Sequence, residues 1–227
     1  MSADLDISVI VPVLDEAETL PSLRTHLDGL RRAGARILIV DGGSLDGSDH
    51  LARQAGFEVL HSEAGRARQM NVGAAASRGD VLLFLHADTR LPDGALEAVR
   101  VALASRDWGR FDVRIAGRPR VLGLVARMMN WRSRLTGIAT GDQALFVRRS
   151  VYDAVGGFPD QPLMEDVEIC RRLKRYCGRP ACLRARVTTS GRRWERHGVW
   201  RTIVLMWSLR WRYWRGVPPE QLARVWR

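Results

Sequence analysis

The sequence has almost no lysine: of its 36 basic residues, only Lys174 is not arginine. Such uniformity fits genomic codon bias better than a demand for guanidinium at every position. Cysteine is scarce too. Cys170, Cys177 and Cys182 are odd in number and form no C-x-x-C pair, which argues against both a disulfide framework and a zinc site. No apolar run approaches the roughly 18–20 residues that cross a bilayer, and the longest compact one, Val81 to Leu85, is strand-sized. The opening Met1-Ser2-Ala3-Asp4-Leu5-Asp6 is acidic and lacks the basic and apolar regions of a signal peptide, so a cytoplasmic location is expected. Internal repeats and low-complexity linkers are also missing. Hydrophobic residues at 46% and charged residues at 27% exclude a disordered or fibrous chain.

What is present in excess is positive charge, unevenly placed. The 227 residues carry a net charge of +11. Residues 1–98 hold nine basic residues against fifteen acids, a net of −6, whereas residues 99–227 hold 27 against ten, a net of +17. The length suits one domain with a sizeable core, expected over residues 1–195, with a basic helical extension over 196–227.

Hydrophobic periodicity outlines that domain. Ile7-Ser8-Val9-Ile10-Val11 is a β-branched run ended by Pro12 and reads as a buried strand. Residues 17–33 place Leu20, Leu23, Leu27 and Leu30 on one helical face. A strand at 36–40 is broken by Asp41-Gly42-Gly43-Ser44. A helix at 46–55, a strand at 57–60, a helix at 67–77 and a strand at 81–85 follow, then polar His86-Ala87-Asp88 and a helix from Pro92. Past residue 105 the pattern loosens into strands at 110–115 and 144–147 and helices at 121–135, 151–155, 165–176 and 198–214, with a last short one from Pro218-Pro219. Strands alternating with helices indicate an α/β domain with a largely parallel sheet, in which ligands bind beyond the carboxyl ends of the strands.

Three of those ends carry acids: Asp15 with Glu16, Asp41, and Asp88. Singly, Asp41 and Asp88 read as turn or cap residues. Together the acids repel one another unless cations or hydrogen-bond donors are near. A hard divalent cation with a nucleotide diphosphate would supply both. Arg66 and Arg68, at a helix start, would add phosphate contacts, or else form a solvated helix face.

The ordered motifs resemble family 2 glycosyltransferases, inverting enzymes of the GT-A fold that use nucleotide sugars. They are Val9 through Glu16, Val40 through Asp46, Gly65 through Gly73, Gly79 through Asp88, Gly141-Asp142-Gln143, Gly156-Gly157-Phe158 and Met164 through Glu168. The resemblance covers roughly residues 7–195. It implies a mostly parallel sheet flanked by helices, with Pro12, Glu16 and Asp41 lining the pocket for base and ribose. Asp80 would lie near the nucleoside. Asn71, Asp142, Gln143 and Glu165 join the implied substrate contacts. Asp88 matches the last acid of the D-x-D motif that holds Mg²⁺ or Mn²⁺, and Asp166 matches the catalytic base. Arg192-Arg193-Trp194 resembles the end of the Q-x-x-R-W motif, which contacts diphosphate and acceptor.

Three positions depart from the family pattern. Gly42 stands where a second acid is common. His86 replaces the first acid of D-x-D and is a poorer partner for a hard cation. Ser190-Gly191 precede the arginines, where the family has its glutamine. With no membrane span, the chain fits a processive polysaccharide synthase badly. V-D-G-G-S, L-H-A-D-T and S-G-R-R-W resemble instead a compact bacterial subgroup associated with arsenosugar biosynthesis. The implied partners are a nucleotide-diphosphate sugar and a small-molecule or lipid acceptor.

From Arg192 onward, nine arginines and two acids accompany six of the eight tryptophans. Trp200, Trp207, Trp211 and Trp214 recur at helical spacing, with Arg201, Arg210, Arg212 and Arg215 between them. Such a stripe resembles an interfacial helix on anionic lipid at the inner membrane face; equally it fits a helix closing the domain with its Trp face buried. A nucleic-acid-binding protein is disfavoured, because the expected cleft lies in the acidic half. A glycoside hydrolase would not need the acids at Asp41 and Asp88. A nucleotidyltransferase would carry a Gly-rich basic loop after the first strand, where Pro12 through Glu16 stand.

Overall fold

The structure, a computed structural model, describes residues 5–226. Its first half is built from four strands, β1 (Ile7–Val13), β2 (Arg36–Asp41), β3 (Glu58–His61) and β4 (Val81–Phe84), joined by helices α1 (Leu20–Arg32), α2 (Ser48–Gln54) and α3 (Arg66–Ala76). Strands β1, β2 and β4 are largely apolar on both faces, whereas the edge strand β3 exposes Glu58 and His61. In β1 Ile7, Val9, Val11 and Val13 point into one core cluster and Ile10 into the other; β2 divides Ile37 and Ile39 from Leu38 and Val40 in the same way. Period-two alternation with no polar face fits a sheet buried by helices on both sides.

The second half comprises β5 (Thr89–Arg90), α4 (Ala95–Leu103), β6 (Trp108–Ala116), α5 (Val121–Thr136), β7 (Phe146–Arg148), α6 (Arg149–Ala154), α7 (Glu165–Cys177), β8 (Ala181–Ser190), α8 (Arg192–His197), α9 (Val199–Trp214) and α10 (Pro219–Trp226). One eight-stranded sheet results, in the order β3-β2-β1-β4-β7-β6-β8-β5. The β3-β2-β1-β4 block is parallel, and so is β6 with β8; β7 runs antiparallel to both its neighbours, and β5 to β8. The sheet is therefore mostly parallel, and its mixed half carries the later motifs.

Strands β5 and β8 and helix α8 fall where the sequence suggested no element. In the ten-residue β8 the exposed Arg184 and Arg186 hide the alternation, and its partner β6 is remote in sequence. In α9 the tryptophan stripe faces outward, with Trp200 72% and Trp214 71% exposed, while Thr202 and Leu209 are buried. A domain-closing helix with its Trp face inside is thus overturned. Leu209 and Leu222 of the extension nonetheless pack on Leu163, Met164 and Val167.

Two helical glycines report on packing with opposite sign. A Cβ on Gly73 would stand 2.5 Å from Ile10 Cγ2 and 3.0 Å from Val40 Cγ2, because α3 lies directly on the sheet there; Gly29 in α1 has nothing within 4 Å. Gly73→Ala should therefore destabilise by about 1–3 kcal/mol through overpacking. Gly29→Ala should stabilise by roughly 0.5–1 kcal/mol. Urea unfolding of the two variants measures both signs.

Candidate active site

Pairing of β1 with β4 stops short of the carboxyl end of β1, and Pro12 accounts for the stop. Ile10 accepts the Leu85 N–H at 3.0 Å, so Ile10 and, two residues on, Pro12 both face β4. Proline has no N–H to continue that ladder, and the pairing with β4 ends at Ile10 and Phe84. Strand order reverses direction here, which is where open α/β sheets hold ligands. The loops after β1 and β2 are laced together. Ser48 Oγ accepts the Glu16 N–H at 2.8 Å, Asp46 Oδ2 the Ala17 N–H at 2.8 Å and Asp15 Oδ1 the Leu45 N–H at 2.9 Å.

The polar groups that gather at this edge come from six segments. After β1 stands half-buried Glu16, whose carboxylate accepts from Thr19 Oγ1 at 2.6 Å and faces Arg192 Nη2 at 3.4 Å. After β4 come His86 and Asp88. His86 Nδ1 lies 3.6 Å from Asp142 Oδ1, and the ring rests on Gly141, where any Cβ would collide with it. From the amino end of α3, Arg66 approaches Glu165 Oε1 at 3.9 Å. At the start of α7, Asp166 accepts N–H bonds from Gly141 at 3.2 Å and Val167 at 2.7 Å. Behind it, Met70, Phe84, Phe158 and Cys170 form the apolar floor of a pocket that also touches His86 and Glu165.

Proton affinities diverge across this cluster. Burial, reinforced by the neighbouring Glu165 charge and opposed by Arg66, pushes Asp166 up to about 6. Asp88 is raised as well, by burial and then by Asp142 and Glu16, against the relief of His86 and Arg192. Burial also acts on Asp142, but the hydrogen bond and charge of His86, with Arg66 and Arg193, hold it below its ordinary value.

Backbone strain is concentrated here. The non-glycine residues with left-handed backbones among the described residues are Asp15 (φ 53°), Ala144 (φ 46°) and Met164 (φ 66°). They follow β1, close the Gly141–Gln143 turn and precede Glu165. Such conformations cost of order 1–3 kcal/mol each and persist where surroundings over-determine them, as in binding sites.

Several expected site residues stand elsewhere. Asp80 precedes β4, at the opposite edge of the sheet, where its carboxylate accepts the Asp6 N–H at 3.1 Å; it is removed from the crevice that Glu16 and Asp88 border. Asn71 spends its amide on Tyr152 Oη at 2.6 Å, Phe158 N at 3.0 Å and Phe158 O at 2.9 Å, pinning the Gly156-Gly157 turn. Gln143 is fully buried and bonds Thr140 N and Phe111 O. Trp194 is packed into the core. Exposed Arg68 is paired with Asp160 at 2.8 Å and with Glu63. Asp41 is 2% exposed, and its carboxylate accepts from Gly43 N at 2.9 Å, Ser44 N at 3.1 Å and Ser44 Oγ at 2.5 Å. A nucleoside contact by Asp41 requires exchanging those bonds. Arg193 stacks on Trp226, 3.3 Å from the ring centroid, and donates to the Trp226 carbonyl at 2.8 Å.

Two participants escaped the sequence reading. Gly141 both seats the His86 ring and donates to Asp166, and its place beside Asp142 was the available signal. Arg132 is half-buried, with Nε and Nη2 enclosed, and feels the charge of Asp166; nothing in the sequence marked it.

Glu165→Gln should lower the Asp166 titration below about 6, yet leave it above the ordinary carboxylate range, because burial is the larger cause. Carboxyl carbon NMR read against pH follows this directly.

Among the described residues no three carboxylate, imidazole or thiol groups converge tightly enough to hold a metal ion by themselves, and no helix is long and apolar enough to cross a membrane. Comparison with known proteins places the arrangement. A family model described as "Glycosyl transferase family 2" matches residues 8–153. The pre-mycofactocin glycosyltransferase of Mycobacterium tuberculosis is 31% identical over 195 residues, covering 74% of this chain but 39% of that protein. This chain thus spans about two fifths of that relative's length. The arsenosugar association of the resembled subgroup is not what these mycobacterial relatives show. S. aureus TarS 1-349 in complex with UDP-GlcNAc superposes with a TM-score of 0.62 at 16% identity, over 82% of this chain and 58% of that one. Mannosyltransferase PcManGT from Pyrobaculum calidifontis, in complex with GDP-Man and Mn²⁺, does so with a TM-score of 0.60 at 20% identity, over 81% and 56%. The architecture is the GT-A type, and the chain belongs to glycosyltransferase family 2.

Proposed function

We propose that this protein transfers a sugar from a nucleotide-diphosphate donor to an acceptor hydroxyl in a single inverting displacement, with Asp166 as the base. The observation that carries the reading is the Asp166 carboxyl, raised to about 6 and held by two N–H donors beside an apolar pocket at the sheet's switch point. A carboxylate with that affinity is largely ionised at neutral pH and more basic than a free one, as general base assistance requires. The UDP-GlcNAc and GDP-Man bound in the two similar folds support a nucleotide-sugar donor. The acceptor implied by the arsenosugar subgroup draws no support from the relatives, and the acceptor class here is a small molecule or lipid.

The leaving diphosphate gains negative charge as the sugar departs. Arg192, half-exposed and tethered to Glu16 only at 3.4 Å, is free to swing onto it, and Arg66 stands opposite on a helix amino end. Both contacts strengthen as charge develops, so they favour the transition state over the ground state. Arg193 would first have to leave Trp226.

Asp88 and His86 fit a share in a divalent cation site. Asp88 is an acid under repulsion from Asp142 and Glu16, and Mg²⁺-type ions are commonly held by one or two carboxylates completed by substrate phosphates. Bound there, Mg²⁺ or Mn²⁺ would supply Lewis-acid neutralisation of the diphosphate. The outward Trp and Arg residues of α9 support peripheral attachment to an anionic membrane.

Asp166→Asn should lower turnover by about 10²–10⁴-fold while nucleotide-sugar binding, read by calorimetry, stays near normal. The folded-state affinity is raised above the unfolded one, so the fold binds the extra proton between about pH 4 and 6 and loses stability as pH rises through that window. The Asn variant should therefore melt no lower than the parent at pH 7.5, separating lost chemistry from lost fold. Wild-type turnover should fall as pH drops below about 6, where the base is protonated. Retained turnover in the Asn variant would refute the base assignment. In a thermal-shift screen, nucleotide sugars with Mn²⁺ should stabilise the protein, and Asp88→Ala should abolish the Mn²⁺-dependent increment. Stabilisation by no nucleotide sugar would remove the donor assignment.

A further inference from the structure

Behind α7, away from the donor pocket, a second cleft opens between α5, α7 and α9. Arg132 of α5, Arg171 of α7, and Arg210 and Tyr213 of α9 line it, and Met164 and Val167 form its apolar wall. Among the described residues no acidic side chain lines it, the nearest being Glu168, 3.5 Å from Tyr213 Oη at the rim. Arg132 is the unusual member. Its Nε and Nη2 atoms are buried without a hydrogen-bond partner among the described residues, and burial lowers its pKa despite the distant attraction of Asp166. A buried guanidinium with idle donors is costly unless an acceptor completes it. Arg171 spans the rim, stacked 5.3 Å from the Tyr213 ring centroid and 3.7 Å from Glu168.

The helices on either side of the cleft have the same outward chemistry. On α5, Leu124, Met128, Trp131 and Leu135 are exposed; on α9, Trp200, Val204, Trp207, Trp211 and Trp214 are exposed. Both sets recur at intervals of three and four residues, so each is a continuous helical stripe. The inner faces of both helices are packed into the core, through Leu122, Val125 and Ala126 on α5 and Ile203 and Met206 on α9. Neither helix contains an acidic residue, and together they hold six arginines. Two aromatic-apolar stripes flanked by arginine suit the boundary between headgroups and acyl chains of an anionic bilayer, and the cleft opens between the two helices that carry them.

We propose that this cleft is a phosphate site whose occupant is the headgroup of an anionic phospholipid, bound by Arg132, Arg171 and Arg210 while α5 and α9 rest in the interface. The inference extends the membrane attachment proposed above by adding α5 and a defined headgroup site. It does not depend on the donor, the metal or the base.

Flotation of the full chain with vesicles tests it, because no nucleotide sugar is needed. Binding should be at least tenfold stronger to phosphatidylcholine vesicles containing phosphatidylglycerol than to phosphatidylcholine alone. Trp207→Ser with Trp211→Ser should lose most of that binding. Arg132→Gln removes the central donor, and since its Nε and Nη2 are enclosed, Arg210→Gln at the cleft serves as the second variant; circular dichroism checks both folds. Arg210→Gln should weaken binding more than Arg127→Gln, which alters the same net charge on α5 outside the cleft. Equal losses for Arg210→Gln and Arg127→Gln would mean diffuse attraction and overturn the headgroup site. Absence of vesicle binding would overturn it as well. Thermal stabilisation by inorganic phosphate or glycerol phosphate, lost in Arg210→Gln and without vesicle binding, would place a soluble phosphate there and refute the lipid assignment.

Discussion

The site depends on one constraint: five carboxylates must share a sheet edge without expelling one another. Glu16, Asp88, Asp142, Glu165 and Asp166 are held there by Arg66, Arg192, Arg193 and His86, and the cations are not evenly shared. Asp142 has the most help and is held low; Asp88 and Asp166, at the two ends, have less help and are raised. Carboxyl groups pushed in opposite directions by their surroundings can take different tasks in one reaction. Here the raised acid against an apolar wall suits proton transfer, and the raised acid among other acids suits a cation.

Keeping those charges in register is a backbone problem, and the chain solves it with rigid loops. Pro12 ends the β1–β4 ladder at the crevice. The loops after β1 and β2 then lock onto each other through Ser44, Asp46 and Ser48. Met164 takes a left-handed conformation so that α7 begins with Glu165 and Asp166 turned to the crevice. The strain is tolerable because the helix behind it is anchored by Ile169, Cys170 and Leu173 in the core.

Much of this was legible in the sequence, for a physical reason. Buried parallel strands are short runs of apolar residues, and β1, β2 and β4 announce themselves as such; the acids that follow them mark the ligand edge. What was illegible is long-range. The resemblance implied a nucleoside contact for Asp80, but Asp80 and Asp88 flank the same strand, and a strand of four residues carries its ends roughly 13 Å apart, so Asp80 stands at the opposite edge. Asn71 belongs to a motif beside the site, yet its partners Tyr152 and Phe158 lie more than 80 residues on. Strand β8 was hidden because its exposed arginines are acceptable only beside β6, a pairing with no local signal. Asp41 shows both readings at once: it stands at the ligand edge, as its position implies, and it serves the turn, as its glycines imply.

The split of charge between the halves of the chain is not a split of the site: the acidic half supplies Glu16 and Asp88, and the basic half supplies Asp142, Glu165 and Asp166 together with Arg192, which folds back to Glu16. Helix α7 stands between two environments. Glu165, Asp166 and Cys170 face the pocket at the sheet edge, while Met164, Val167 and Arg171 face the arginine-lined cleft. Spacing of three and four residues makes such a division natural for one helix. Arg132 reaches the same boundary from α5, close enough for Asp166 to influence it.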